Sequence, residues 1–373
     1  MTKPNVIKPG TAKDAKARAK RAPALRVTEQ ANPATEDIDT LDALGVVDRI
    51  NDEDLKVAPA VRAARRELAQ VIDLCIEAFR VGGRLFYVGA GTSGRLGVLD
   101  ASECPPTFST PPYLVQGLIA GGPPALQKSV EGAEDDEEAG ALALRHRGLM
   151  REDVVVGIAA SGTTPFVRGA LLEANRTGAA TVLVTCNPEA PLAELARVTV
   201  ALAVGPEVIA GSTRMKAGTA TKLALNTITT GAMIRWGKVY GNRMVDVKPA
   251  CAKLVERATR LVADLAEVPH ERAALLLEAG GGKVKVAVVM HRRGCTRKEA
   301  EKVLAHSSGL LRRALALDKL PPEPEAPPRA RPVLVRKVKA EVPKSPRSPQ
   351  RTRAGGKTPS PASRAPRRRR NSP

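Results

Sequence analysis

Two short loops rich in glycine and hydroxyl side chains are the clearest candidates for chemistry in this sequence. The first reads Gly89-Ala90-Gly91-Thr92-Ser93-Gly94, and the second reads Ser161-Gly162-Thr163-Thr164-Pro165. Small residues let backbone N–H groups approach a ligand, and the N-terminus of a following helix favours an anion. Because no Walker lysine or run of acidic magnesium ligands accompanies the hydroxyls, the pattern predicts a site for a phosphate monoester.

The first loop also fits a second interpretation, a dinucleotide site. The spacing Gly89-x-Gly91-x-x-Gly94 matches the dinucleotide fingerprint, which further requires an acidic residue at the end of the second strand. The second predicted strand runs instead into Gly121-Gly122-Pro123-Pro124. The phosphate monoester is therefore the favoured ligand.

Two glutamates near these loops are candidates for proton transfer. Glu103 follows the first loop in the segment Ser102-Glu103-Cys104-Pro105-Pro106, and Glu134 lies in an acidic run. Two carboxyl groups that converge on a substrate act as an acid and base pair. Solvated helix surfaces carry glutamates of the same kind, and the spacing along the chain does not decide between the two interpretations.

The elements around the loops predict a parallel sheet covered by helices on both faces. Near-continuous apolar strands alternate with amphipathic helices, which is typical of such sheets. Predicted strands cover residues 84–88, 114–119, 154–158, 181–185 and 198–203, and predicted helices cover residues 57–80, 125–145, 165–176 and much of 214–316. In these sheets ligands bind beyond the carboxyl ends of the strands, where both loops lie.

Most of the net charge of +20 lies in the two ends of the chain. Residues 1–26 hold 8 Lys/Arg and 1 Asp, and residues 321–373 hold 15 Lys/Arg, 3 Glu and 13 prolines. Residues 27–320 carry 36 basic and 35 acidic residues, so they form a near-neutral body. We expect both ends to be disordered, because they lack the apolar residues needed to offset the entropy of ordering. Their charge predicts non-specific binding of a polyanion.

Composition excludes several other classes of protein. The chain has only 8 aromatic residues, which argues against a base-stacking surface. It contains no run of about 18 apolar residues, so no membrane span is predicted. The N-terminus lacks the apolar stretch of a secretory signal. Five scattered cysteines without a C-x-x-C pair indicate reduced thiols and a cytoplasmic protein.

Longer motifs resemble a known family. Residues 85–107, which contain Gly-Ala-Gly-Thr-Ser-Gly-Arg-Leu-Gly-Val-Leu-Asp-Ala-Ser-Glu-Cys-Pro-Pro, closely resemble the N-acetylmuramic acid 6-phosphate etherases. Further blocks follow in the same order as in that family: Thr28-Glu29, Asn32-Pro33, residues 50–54, 131–135, 155–162, 211–220, 237–242 and 244–247. The resemblance extends over residues 28–316, almost the whole neutral body.

This resemblance implies a fold, an assembly and a reaction. The fold is the sugar isomerase (SIS) type, an α/β/α sandwich with a parallel sheet, followed by a small helical C-terminal unit, usually in a homodimer. The reaction cleaves the D-lactyl ether of N-acetylmuramic acid 6-phosphate to N-acetylglucosamine 6-phosphate and D-lactate during peptidoglycan recycling, and it needs neither a metal nor a cofactor. We therefore expect the catalytic domain to cover residues 27–248 and the helical unit residues 249–320.

The resemblance also implies roles for individual residues. Glu103 matches the glutamate that protonates the departing lactate oxygen, and Glu134 matches the second catalytic residue, which we assign to the proton on C2. Phosphate binding is predicted for Thr92, Ser93, the backbone of Gly94, Ser161 and Thr163.

The sequence departs from the family at Thr163, where relatives commonly carry arginine; loss of that arginine predicts weaker substrate binding if it touches the substrate. Arg214, Lys216 and Lys222 fit either an anion site or a solvated helix face. The alternative to an enzyme is a non-catalytic phosphosugar sensor, and the presence of both glutamates argues against it.

Overall fold

The computed structural model of the protein describes residues 25–247 and 251–317, and a five-stranded parallel sheet lies at its centre. The two predicted tails lie outside these residues, apart from positions 25 and 26. The strands are β1 (Leu85–Gly89), β2 (Val115–Ile119), β3 (Val154–Ile158), β4 (Ala180–Thr185) and β5 (Val198–Ala201). Their order in the sheet is β2-β1-β3-β4-β5, and every neighbouring pair is parallel.

Helices precede, separate and follow the strands. Before and between the strands are α1 (Ala43–Asp54), α2 (Val57–Ala63), α3 (Arg65–Arg80), α4 (Gly91–Phe108), α5 (Glu137–Arg145) and α6 (Pro165–Thr177). After the sheet come α7 (Lys216–Arg235), the two-stranded hairpin β6 (Val239–Tyr240) and β7 (Arg243–Met244), α8 (Ala252–Ala266), α9 (His270–Ala279), α10 (Val284–Arg293), α11 (Arg297–His306) and α12 (Leu311–Ala316). Within the described part of the chain, no helix is both long and apolar enough to cross a membrane.

Both faces of the sheet are covered, as predicted. Side chains alternate along β1 because successive residues of a strand point to opposite faces. Leu85 and Tyr87 join the apolar cluster that contains residues of α3, α4 and α7, whereas Phe86 and Val88 join a second cluster with residues of α5 and α6. The predicted α/β/α sandwich with a central parallel sheet is confirmed.

The helices after the hairpin have an apolar core of their own. Ala258 and Val262 of α8 pack with Ala273 of α9, Val288 of α10 and Val303 of α11, and all five are buried. This cluster follows the apolar spacing of the helices, which places one buried stripe on each of them. The predicted helical C-terminal region is therefore confirmed.

Two predicted helices differ from the observed elements. The helix predicted at residues 57–80 is broken at Ala64, so that α2 and α3 are separate. The helix predicted at residues 125–145 is wrong over its first half, and only Glu137–Arg145 is α-helical. Gly132 has φ +73°, outside the helical region, and Asp136 begins α5 by accepting a hydrogen bond from the Ala139 N–H at 2.8 Å.

Candidate functional site

The two hydroxyl-rich loops meet because of the strand order. In the sheet β1 lies between β2 and β3. The connection after β1 leads to β2 on one side, and the connection after β3 leads to β4 on the other side, so the two connections diverge from neighbouring strand ends. Gly89 at the end of β1 pairs directly with Ile158 at the end of β3. Such a switch point leaves a crevice at the carboxyl edge of the sheet, where ligands bind in open α/β folds.

A cavity of about 370 Å³ occupies this crevice. Four of the five predicted phosphate-binding residues line it, namely Thr92, Ser93, Ser161 and Thr163, and Glu134 lines it as well. The other lining residues are Arg26, Thr28, Glu29, Ala90, Gly91, Asp135, Ile158, Ala159, Ala160, Thr164, Pro165, Gly211 and Thr213. Among the described residues, no group of His, Cys, Asp or Glu has the arrangement of a metal site.

The first loop presents the N-terminus of α4 to the cavity. The helix begins at Gly91, and no side chain caps it within the described residues. The first N–H groups of a helix lack intrahelical partners and attract anions, so the turn that contains Thr92 and Ser93 offers both amide and hydroxyl donors. These donors suit the oxygens of a phosphate monoester.

Gly94 lies outside the cavity lining. Its N–H donates a hydrogen bond to the Ala90 carbonyl at 3.1 Å, so that this amide is already used within the helix. A Cβ atom at position 94 would lie 2.6 Å from the Gly89 carbonyl oxygen and 2.6 Å from a side-chain carbon of Ile119. The observed contribution of Gly94 is to let α4 pack closely against β1 and β2.

The second loop holds its hydroxyls together at the start of α6. The Oγ of Ser161 and the Oγ1 of Thr163 lie 2.9 Å apart, and the Asn187 amide donates to the Ser161 carbonyl at 3.1 Å. Gly162 between them has φ +71°, a backbone conformation that residues other than glycine rarely adopt. Pro165 occupies the first turn of α6, where its missing N–H costs nothing.

Among the residues that the structure describes, three carboxylates line the cavity: Glu29, Glu134 and Asp135. Glu134 lies in a short 3-10 segment, Ala133–Asp135, that follows the turn at Gly132. Of the two glutamates singled out in the sequence, Glu134 is thus the one that shares the cavity with the hydroxyl loops.

Glu103 lies elsewhere in this chain. It is exposed on α4, twelve residues beyond Gly91, which places it about 18 Å along the helix axis from the cavity end. The neighbouring Cys104 is buried, and burial, together with the charge of Asp100, raises the pKa of its thiol to about 12. A protonated, buried thiol is a packing group, which agrees with the interpretation made from the sequence.

Residues near the N-terminus complete the cavity, and motif reasoning did not assign them to it. Arg26, Thr28 and Glu29 line one wall, where the Gly211 N–H donates to the Thr28 carbonyl at 2.8 Å. The side chain of Thr35 anchors the same segment by donating to the Val208 carbonyl at 2.8 Å. The only signal in the sequence was the presence of Thr28-Glu29 and residues 211–220 among the blocks shared with one family.

Lys216 is committed to a buried ion pair and does not line the cavity. Its ammonium group donates to the Glu53 carboxylate, and the Lys216 backbone N–H donates to the Glu207 carboxylate at 3.0 Å. Arg214 and Lys222 also lie outside the cavity lining. Of the two interpretations open for Lys216, an anion site and a solvated face, neither is correct.

Two protein-family models match parts of this chain. Residues 134–230 match the SIS domain family, and residues 67–175 match the N-terminal SIS domain of glucokinase regulatory protein. The protein is therefore an SIS-domain protein with a hydroxyl-lined cavity at the carboxyl edge of its sheet. An N-acetylmuramic acid 6-phosphate etherase of Picosynechococcus sp. is 52% identical over 289 residues, which cover 78% of this chain and 96% of the relative.

A second relative carries the same name. The N-acetylmuramic acid 6-phosphate etherase of Gloeobacter violaceus is 54% identical over 294 residues, which cover 79% of this chain and 95% of the relative. A solved structure of a phosphoheptose isomerase from Francisella tularensis is 14% identical, with a TM-score of 0.39 over 51% of this chain and 100% of that one. On the identity and coverage of the first two, this chain belongs to the N-acetylmuramic acid 6-phosphate etherase family.

Proposed function

We propose that the protein is an enzyme, a carbon–oxygen lyase that cleaves the D-lactyl ether of N-acetylmuramic acid 6-phosphate. The products are N-acetylglucosamine 6-phosphate and D-lactate. The observation that carries this proposal is the convergence of Glu134 with the hydroxyls of both loops in one cavity of a chain about 50% identical to etherases. A reaction of this kind requires a phosphate site and a proton-transfer group within reach of the same sugar.

The hydroxyl loops bind the phosphate of the substrate. Thr92 and Ser93 donate from the N-terminus of α4, and Ser161 and Thr163 donate from the start of α6. Hydrogen bonds to an anionic acceptor are stronger than those between neutral groups, so the four hydroxyls and the first amides of α4 contribute favourably to phosphate binding. The sugar then extends towards Glu134, which lines the same cavity.

The reaction proceeds by elimination and hydration. Ring opening exposes an aldehyde at C1, which acidifies the hydrogen on C2. Glu134 removes this proton as a general base, and the electron pair forms a C2–C3 double bond as the C3–oxygen bond breaks. Glu103 protonates the departing lactate oxygen, because an alkoxide is a poor leaving group. Water then adds its oxygen to C3 and gives its proton to the Glu103 carboxylate, while Glu134 returns its proton to C2, so both carboxyl groups regain their starting states.

The test is release of D-lactate from N-acetylmuramic acid 6-phosphate by the full chain. We expect turnover by the unmodified protein and a loss of about 10²- to 10⁴-fold in kcat for Glu134→Gln, the range for removal of a general base. Glu138→Gln is a matched control, because Glu138 belongs to the same acidic run but pairs with Arg145 at the surface. A folded protein that binds the phosphosugar without releasing lactate is a sensor, and that outcome would overturn the proposal.

We further propose that the active protein is a homodimer in which each copy supplies Glu103 to the cavity of the other. The exposure of Glu103 and its distance from the cavity of its own chain support this arrangement. Mixing subunits of Glu103→Gln and Glu134→Gln tests it. If the sites are shared, about half of the dimers are mixed, and in each mixed dimer one of the two cavities has both glutamates intact. We then expect about a quarter of the wild-type rate. Sites built within one chain give no restoration.

We place the enzyme in the cytoplasm, where its five cysteines, all without a disulfide partner, stay reduced. We also propose that the basic tails bind polyanions without sequence preference. For duplex DNA, the affinity of the full chain then falls steeply with salt and exceeds the affinity of a chain ending at residue 320. Equal affinities of the two chains would contradict this role of the C-terminal tail.

A further inference from the structure

The charges that line the cavity pose a problem for phosphate binding. Glu29, Glu134 and Asp135 bring three carboxylates, whereas Arg26 is the only cationic side chain among the described lining residues. A phosphate monoester near neutral pH carries close to two negative charges. Hydroxyls and amides alone would therefore hold a dianion against three carboxylates, and a positive group is needed beside it.

The backbone around Arg26 is held by hydrogen bonds from residues that follow it in the chain. Its carbonyl accepts a hydrogen bond from the Glu29 N–H at 2.8 Å, and Thr28 next in the segment is buried and bonded to Gly211. Its guanidinium, in contrast, makes no hydrogen bond or ion pair with any residue in 25–247 or 251–317. Within the described residues, hydrogen bonds hold this backbone while the Arg26 charge has no partner.

The position of Arg26 relative to the loops decides which part of a substrate it meets. Arg26 and Thr163 line the 370 Å³ cavity together, and they also line an adjoining cavity of about 440 Å³. Arg26 therefore shares both cavities with the loop that carries the Ser161 and Thr163 hydroxyls. Lys216 offers no alternative charge, because it is buried against Glu53.

We propose that Arg26 binds the phosphate of the substrate together with Ser161 and Thr163, and so sets the preference for a phosphorylated sugar. The planar guanidinium places two N–H donors against two phosphate oxygens, a geometry that lysine does not reproduce. It also offsets the repulsion from the three carboxylates. The inference rests on the proposed function for the identity of the sugar, but not for the phosphate site itself.

Binding of inorganic phosphate to the full chain, measured by calorimetry, tests the site without turnover. We expect Arg26→Gln to weaken phosphate binding by about ten- to a hundredfold, and Arg26→Lys to weaken it less. Arg62→Gln is the matched control, because Arg62 is an exposed arginine on α2 that does not line the cavity. In the lactate assay the same Arg26 variant raises KM by a similar factor and changes kcat little.

A compensating substitution sharpens the test. Because Thr163 shares both cavities with Arg26, Thr163→Arg in the Arg26→Gln background returns a guanidinium to these cavities and restores part of the phosphate affinity, since the Thr163 hydroxyl is lost. Equal affinity in wild type and Arg26→Gln, or an equal loss in Arg62→Gln, would overturn the proposal. A wild-type chain that binds no phosphate overturns it too. Intact phosphate binding without lactate release would overturn only the proposed function.

Discussion

The ammonium group of Lys216 donates a hydrogen bond to the carboxylate of Glu53, and both side chains are almost fully buried, with 1% and 2% of their surface exposed. The pair joins α1 to the first residue of α7. Glu207 reinforces the junction by accepting hydrogen bonds from the N–H groups of Lys216 and Ala217 at 3.0 and 2.9 Å. The turn that precedes α7 contains Gly211 and Thr213, so this buried pair supports one wall of the cavity.

Removal of the Glu53 charge tests the contribution of the pair to stability. Glu53→Gln removes the carboxylate that pairs with the buried Lys216 ammonium, and we expect a loss of about 3–5 kcal/mol in the free energy of unfolding. Urea denaturation measures it. Asp52→Asn is the control, since Asp52 is exposed on the same helix. A loss below about 1 kcal/mol would show that Lys216 finds another partner or reaches water.

A second buried carboxylate, that of Glu173, makes the stability of the fold depend on pH in the acid range. Glu173, with 3% of its side chain exposed, accepts hydrogen bonds from Arg176, which lower its pKa to about 2 against the opposing effect of burial, and Arg145 adds to the lowering. A lowered pKa in the folded state contributes stability above the unfolded value, near 4.5, and this contribution is lost as the pH falls towards 2.

The pH dependence is checked by comparing the urea midpoints of two variants with that of the wild type between pH 5 and pH 2. This window runs from above the unfolded pKa of Glu173, near 4.5, down to its folded pKa of about 2. Glu173→Gln removes the titrating group, and we expect a flatter dependence than in the wild type. Glu138→Gln keeps the wild-type slope, because Glu138 also pairs with Arg145 but lies mostly in solvent. Identical slopes in all three proteins would contradict the prediction.

The close packing at Gly94 predicts a cost for a single methyl group. Gly94→Ala places Cβ 2.6 Å from the Gly89 carbonyl oxygen, and because backbone cannot move aside as a side chain does, we expect a loss of about 1–3 kcal/mol. Gly218→Ala in α7 is the matched control. Its Cβ would meet no atom closer than 3.5 Å, so the helix preference of alanine makes it neutral or stabilising. Equal thermal midpoints for the two variants would show that α4 shifts freely on the sheet.

The hydroxyls of the two loops predict an effect on substrate binding rather than on folding. Ser93→Ala and Ser161→Ala each remove a donor to a charged acceptor, and we expect KM to rise about ten- to a hundredfold for each. Thr227→Ala is the control, because its exposed hydroxyl donates to the Leu223 carbonyl within α7. A rise confined to one of the two serines would place the phosphate at a single loop.

Local patterns in the sequence determined the elements and the character of the site. The apolar runs of β1 and β3, and the hydroxyl loops that follow them, were readable because strand periodicity and loop chemistry depend on neighbouring residues. The family blocks added the expected reaction. The region around Gly132 was misread as helix because an amphipathic pattern does not register a backbone turn with positive φ.

Only the tertiary structure decided which distant residues share the cavity. Charge counting assigned Arg26 to the N-terminal tail, yet the hydrogen bond between Gly211 and Thr28 brings its segment to the loops. Likewise Lys216 is an unremarkable helix residue in the sequence, and its partner Glu53 lies 163 positions away. Such contacts depend on strand order and on how loops pack against one another, and the spacing of residues along the chain does not predict where two remote segments meet.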